Sequence, residues 1–416
     1  MTTWVRNRVL LVLVAIGAVA AVGLAFLTHA PNRLAPGVGI SLAETVASSS
    51  SWVRLWALFA IGAPALLLVA AIFVRPRRAT HLCVITSAIL LLTGLVSLAG
   101  IHAARLASMA ADLSPGMNPG IERTSFGGAF WILSALCWLT ASDAIARLGL
   151  KPISRLLAGF IVVAPIVVCV AIGLLDHLSL FEEYVNRAHA FDAALRRHVE
   201  IVAASVLPSL VIGVPLGIAS TRDGRWMNAL RSPLFASLNI VQTIPSIALF
   251  ALLLAPLALL VTHVPMLGRL GVAGVGFAPA IIALTLYSLL PIVRSTAAGI
   301  AQVPRPVIDA ATGMGLSARQ VFWKVEAPLA LPVFIAGLRI ATVQTIGMAV
   351  VAALIGAGGL GAIVFQGLLG GALDLVLLGV LPVAAMAVAV DAVLATAASS
   401  IAHGLREPLP SATGTG

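Results

Sequence analysis

Residues 308–332 read IDAATGMGLSARQVFWKVEAPLALP. This is a polar, gently basic loop set between long apolar runs. A loop of that length is usually functional rather than a mere connection. Asp309-Ala310-Ala311 opens a short helix with an acid in its first turn, where the helix dipole favours negative charge. Small Ala310 and Ala311 let a partner surface come close. Gly315 supplies the turn geometry that ends the helix. A second short helix over 318–325 presents Val321, Phe322 and Val325 on one face. Pro328 and Pro332 stop it and begin the next apolar run. The segment reads as a compact helix–turn–helix knob.

Outward from this loop the chain is almost all apolar. Its residues are 60% hydrophobic and 10% charged, whereas a soluble domain is about a quarter charged. Several runs have the length and apolarity of a membrane-crossing helix. They lack the strict alternation of a barrel strand. The fold class is therefore an all-α polytopic membrane protein of about ten transmembrane helices. The expected spans are 9–27, 52–74, 82–101, 128–145, 156–175, 201–220, 234–254, 272–293, 329–355 and 375–400. The first follows Arg6 and Arg8 and precedes Thr28-His29-Ala30, which loosely resembles a cleavage site. Its apolar run is longer than the usual signal core, so a retained helix is expected.

The net charge of +10 is scattered over short loops and forms no single stripe of the kind that binds nucleic acid. It sorts instead by side. Arg6, Arg8, Arg75, Arg77, Arg78, Arg147, Lys151, Arg155, Arg222, Arg225, Arg231, Arg294, Arg305, Arg319, Lys324 and Arg406 fall on one set of alternating segments. That set outnumbers the other by about two to one, which places it in the cytoplasm. The 308–332 loop and both termini then lie inside.

The chain divides near residue 200. A region of about five helices covers 1–176, and a second region of about five helices covers 201–402. A short tail follows at 403–416. Between the two regions, 177–200 carries Phe181, Tyr184, Ala188, Phe191 and Leu195 at helical spacing, the pattern of an amphipathic helix at the outer interface. His189 and His198 on that helix are expected to be solvated. Cys83, Cys137 and Cys169 all fall within apolar spans and read as small packing residues.

Reactive constellations are missing from the sequence. A P-loop requires a Gly-Lys step to cradle phosphate, and the lysines are Lys151, after Leu150, and Lys324, after Trp323. No Gly-x-Ser-x-Gly and no His-Glu-x-x-His is present. The chain does not read as an enzyme. An intramembrane carboxylate is a functional candidate by default. Asp391 is the clearest, either with a direct role or capped and paired near the inner surface, and Asp374 sits at a span edge.

The loop resembles the Glu-Ala-Ala loop of binding-protein-dependent ABC importer permeases. The matching positions are Asp309, Ala310, Ala311, Gly315, Val325 and Pro328, with Asp in place of Glu. Three flanking runs narrow the likeness: Gln242-Thr243-Ile244-Pro245-Ser246; Leu286-Tyr287-Ser288-Leu289-Leu290-Pro291-Ile292-Val293-Arg294; and Ala353 through Gly361. They resemble permeases for osmoprotectants such as glycine betaine, choline and carnitine. The likeness covers about residues 201–369, and the first half resembles a subset with enlarged permeases.

This resemblance implies a type I importer core, similar to the methionine permease, in a bacterial inner membrane. It implies ATP-binding ABC subunits that hold ATP and Mg, so this chain needs no cofactor of its own. An extracytoplasmic solute-binding protein and a second permease, identical or related, complete the assembly. It makes 304–332 the coupling loop, with Asp309, Ala310, Ala311, Gly315, Val321, Phe322, Val325 and Pro328 facing the ATPase. It makes Gln242, Thr243, Pro245 and Tyr287 candidates for the translocation path. Aromatic faces normally hold a quaternary ammonium, and they are sparse in the core, so selectivity is expected in the binding protein. Gly213, Gly217, Gly337, Gly347 and the Gly356–Gly361 run are expected to give close, shiftable helix contacts. A permease for another small solute, such as an amino acid, and a secondary carrier remain the alternatives.

Overall fold

A computed structural model of the chain describes residues 5–32, 35, 37–113, 122–222, 225–269, 272 and 275–404. The tail expected over 403–416 lies, from residue 405, outside them. Among the described residues, nine helices are long and apolar enough to cross a membrane. The chain folds as two compact units, Met1–Arg187 and Ala188–Gly416.

The first unit contains α1 (Arg8–Gly23), α2 (Leu42–Ala47), α3 (Ser51–Ala57), α4 (Ala63–Phe73), α5 (Arg78–Leu113), α6 (Gly128–Arg147), α7 (Pro152–Ala171) and α8 (Ser179–Asn186). A π-turn over Leu58–Gly62 joins α3 to α4. Helix α1 has 16 residues, fewer than the 9–27 run expected, because the chain turns into a strand at Leu27. That strand, β1 (Leu27–Ala30), pairs antiparallel with β2 (Val38–Ile40) and β3 (Arg123–Phe126) in the order β2-β1-β3. The sheet was not legible in the sequence, because its strands are too short to establish an alternating pattern. The Thr28-His29-Ala30 step lies in its central strand. Phe126 stacks on Phe130 at 3.9 Å and meets Trp131 edge-on. Arg123 binds Glu182 at 2.6 Å and approaches Glu183 at 3.7 Å, tying β3 to α8. Burial beside this pair pushes the Glu182 carboxyl above its ordinary range, against the pull of the guanidinium. Cys137 and Cys169 are buried, as packing residues are.

The helix expected over 177–200 does not form as one piece. Arg187 leaves helical geometry, with φ −133° and ψ 21°. The chain restarts at Ala188 as α9 (Ala188–Thr221), which runs without interruption into the expected span at 201. His198, expected to be solvated, is fully buried, with its Nε2 3.1 Å from the Ile346 carbonyl. A helical face read by composition reports apolarity, and not which tertiary neighbour covers it.

The second unit continues with α10 (Arg225–Thr243), α11 (Ser246–His263), α12 (Pro265–Arg269), α13 (Phe277–Ala301), α14 (Arg305–Gly313), α15 (Ala318–Val321), α16 (Ala327–Val351), α17 (Leu360–Leu369) and α18 (Leu373–Gly404). Helix α13 is central and packs most extensively on α9 and α16, while α18 packs on α16 and α17. Two glycines set the approach. A Cβ at Gly217 would sit 2.5 Å from Thr296 Cβ, and one at Gly337 would sit 2.0 Å from Ser295 Oγ. Small residues at such crossings let membrane helices meet backbone to backbone. Gly347 has open space around it, so the close contact expected there is absent.

Buried hydroxyls add links across the same three helices. Ser209 Oγ donates to the Thr285 carbonyl at 3.2 Å, Thr285 Oγ1 donates to the Ser205 carbonyl at 3.1 Å, and Ser288 and Thr345 share a 2.7 Å hydrogen bond. In hydrocarbon no water competes for such bonds.

Candidate functional site

The hairpin over 305–326 starts earlier than its sequence suggested. Pro304 is the N-cap of α14 and Pro306 occupies its first turn. Proline is suited to that turn because its φ is already helical and its missing N–H would be unpaired anyway. Asp309 therefore lies mid-helix and not in the first turn, so the dipole argument made for it does not hold. Asp309 and Ala310 are exposed, but Ala311 is buried at 2% exposure. Of the two alanines, only Ala310 is open to a partner.

The end of α14 is decided by Gly315, whose φ is +87°. Leu316 N–H donates to the Ala311 carbonyl at 3.2 Å and Gly315 N–H to the Thr312 carbonyl at 2.9 Å. This bond pair closes a helix on a left-handed residue and satisfies its last carbonyls. One residue later Ser317 caps α15. Its Oγ accepts from Gln320 N–H at 3.4 Å, and Gln320 Oε1 accepts from Ser317 N–H at 2.8 Å. The two short helices are thus pinned at a sharp elbow by the left-handed turn at Gly315 and the Ser317–Gln320 capping box. On its outer surface the elbow leaves Met314 75% and Trp323 64% exposed.

Pro328 does not stop the second segment. Residues Phe322–Glu326 form a π-turn, and the helix runs from Ala318 through Ile355 as one rod. A proline ring clashes with the carbonyl four residues back. The wider π-turn opens that position, so Pro328 rides in the first turn of α16 with no break. Val321 is buried, while Phe322, Val325 and Pro328 are half-buried. The predicted apolar face thus turns mainly inward, onto the unit itself.

A second cluster forms where the expected span 234–254 breaks. Helix α10 ends at Thr243, and α11 begins at Ser246 with Pro245 as N-cap. The break frees the Ile244 carbonyl, and the Tyr287 hydroxyl donates to it. Gln242 Nε2 donates in turn to the Tyr287 carbonyl at 2.8 Å. Irregular backbone at membrane depth survives only where such partners satisfy it. The Tyr287 ring is buried with Ile201, Leu249 and Phe250, so it braces the break from the core side. Thr243 bonds back to the Ile240 carbonyl at 2.7 Å, and Thr243 and Pro245 are exposed. The four residues singled out for this segment are therefore brought together, two as braces and two at the open edge. Tyr287→Phe is expected to leave the Ile244 carbonyl unpaired at a cost of about 1 kcal/mol. Thermal unfolding of the detergent-solubilised protein, compared with wild type, measures that loss.

Two ion pairs were missed because their partners are remote in sequence. Arg339, near the middle of α16, binds Asp391 of α18 through both its Nε and Nη2, at 2.8 to 3.0 Å. Asp391 is thus paired, and at mid-helix on the α16 side rather than near a span end. Arg222, just beyond α9, binds Glu326 through two nitrogens at 2.5 and 3.2 Å. The only sequence signal for either pair was the rarity of charge in apolar runs, which marked Asp391 but not its partner. Among the described residues, no group of His, Cys, Asp and Glu is arranged to hold a metal ion.

Comparison with known proteins agrees with this architecture. Residues 201–403 match the family model described as "Binding-protein-dependent transport system inner membrane component". Residues 6–181 match that of "ABC transporter permease YehY, N-terminal domain". The osmoprotectant import permease protein OsmW of Salmonella typhimurium is 38% identical over 195 residues, covering 47% of this chain and 84% of that protein. The glycine betaine/carnitine/choline transport system permease protein OpuCB of Bacillus subtilis is 37% identical over 198 residues, covering 48% of this chain and 82% of that one. Among solved structures, the inward-facing MetNI methionine ABC transporter is 23% identical, covering 52% of this chain and 98% of that chain at a TM-score of 0.44. With residues 201–403 matching the family model and most of the OsmW length covered, the chain belongs to the binding-protein-dependent ABC importer permeases, multi-pass membrane transport subunits and not enzymes.

Proposed function

We propose that this chain is the permease of an ATP-driven importer for osmoprotectants such as glycine betaine or related quaternary amines. It works in the cytoplasmic membrane with both termini inside. The observation that carries this reading is the elbow at Gly315. It is a compact knob, closed by the Gly315 turn and the Ser317 cap, that leaves Met314 and Trp323 exposed while its root continues into a core helix. In this reading the exposed Met314 and Trp323 side chains are part of the surface that docks the partner. The occupant in this reading is an ATP-binding subunit, which holds the ATP and Mg.

Solute identity rests on the relatives, whose names cover osmoprotectants, glycine betaine, carnitine and choline. An extracytoplasmic binding protein delivers the solute, and two permease chains form the path between them. Asp309, Ala310, Gly315 and the exposed ring of Trp323 meet the ATPase. Thr243 and Pro245, on the open side of the break in α10–α11, border the path. Gln242 and Tyr287 hold that break in shape. Alternating access needs packing with two stable arrangements, and the close crossings at Gly217 and Gly337 supply surfaces that slide without unpacking.

The test is uptake of labelled glycine betaine by proteoliposomes holding the whole complex. Uptake should require internal ATP and the ATP-binding subunits, and it should survive collapse of the proton gradient. Uptake driven by a proton gradient with no ATPase present would establish the secondary-carrier alternative instead.

A further inference from the structure

The π-turn at the root of the elbow ends on Glu326, whose residue exposure is 5%. Its carboxylate reaches the end of α9, where Arg222 clasps it at 2.5 and 3.2 Å. The guanidinium carbon also lies 5.3 Å from the centre of the Phe322 ring, one π-turn earlier. Two parallel N–H···O bonds fix angle as well as distance, so such a pair transmits rotation, which a single hydrogen bond does not. Its position is equally specific. Glu326 belongs to the rod formed by α15, the π-turn and α16, and Arg222 to the end of the helix that packs most closely on α13.

Three further features suit a moving joint. A π-turn is a locally wide segment that recurs at functional positions. A cavity of about 190 Å³ borders it, lined by Ile218, Thr296, Phe322, Trp323 and Phe334 among others, so the aromatic residues of the turn have room to shift. And an ion pair with one buried member adds little net stability compared with an apolar pair of the same shape. Static packing alone gives no reason to put charge there.

We propose that Arg222 and Glu326 are positioning residues forming the link that carries displacement of the elbow into α9. The chain already joins the elbow to α13 and α16; the clasp adds a direct polar link to the end of α9. With the clasp, α9 and α16 turn together about α13, and the core rearranges as a body. This inference rests on the importer reading above.

The experiment uses the full complex in proteoliposomes with glycine betaine as the probe. It reads solute moved per ATP split, normalised to assembled complex. Glu326→Gln removes the charge but keeps the size, and Arg222→Met with Glu326→Leu replaces the clasp by an apolar pair of similar shape. Both should keep basal ATP hydrolysis and cut solute moved per ATP about tenfold, within the usual range of coupling between sites. A purely structural clasp would lower the amount of complex and leave the ratio unchanged. A wild-type ratio in Glu326→Gln overturns the proposal, and that variant decides the matter if the double variant fails to assemble. Should the wild-type complex itself show no ATP-driven uptake, the importer reading falls rather than the link.

Discussion

Asp391→Ala is expected to destabilise the permease strongly. It strands Arg339 in the middle of α16 with no counter-ion, its three charge-assisted hydrogen bonds lost. An arginine at the centre of a membrane helix costs about 2.5–3.5 kcal/mol on insertion scales. The two side chains are 33% and 44% exposed in the single chain. Water reaching them would reduce the cost, and hydrocarbon would not. Heating the solubilised complex and measuring the remaining folded fraction gives the loss directly. Arg339→Leu combined with Asp391→Leu should recover most of it, because removing both charges removes the unpaired one. Equal stability of Asp391→Ala and wild type would mean that the pair sits in water and contributes nothing.

The second large effect is expected at the elbow. Gly315→Val should lower solute-stimulated ATP hydrolysis about tenfold while the protein still folds and inserts. No atom crowds the position: a Cβ there meets nothing within 4 Å. The cost is conformational, since a left-handed backbone burdens an ordinary L-residue by about 1–2 kcal/mol and a β-branched one most of all. To relieve it, α14 must unwind or swing, which displaces the exposed Met314 and changes the surface of the elbow. Gly315→Asn is the control, because asparagine tolerates this region, and it should retain most of the stimulation. The comparison is between the two variants at equal complex concentration. Full stimulation in the valine variant would show that the ATPase does not read this elbow.

Some elements of the molecule were legible because they depend on neighbours in the chain. The turn at Gly315 is set within a few residues, whereas the break at Thr243-Ile244-Pro245, read as part of one span over 234–254, was not legible. The membrane class is set by composition over runs of helix length. Where such local rules failed, a competing local rule was the cause. Asp309 looked like a helix start until Pro304 and Pro306 claimed that role. Pro328 looked like a stop until the π-turn before it relieved its clash. The interfacial helix over 177–200 failed for a different reason: apolar spacing cannot say that Arg187 leaves the helix or that His198 is covered.

The amino-acid sequence thus determined by itself that this chain lies in a membrane as helices, and where its elbow bends. Burial of apolar length and the steric demands of glycine and proline act at short range. Tertiary structure alone decided which charges meet. Arg222 and Glu326 are separated by 104 residues and Arg339 and Asp391 by 52, and pairing at such separations depends on how helices rotate and cross. Those rotations are fixed by backbone approach at positions such as Gly217 and Gly337, where what matters is the shape of the facing helix, a quantity no local stretch of sequence contains.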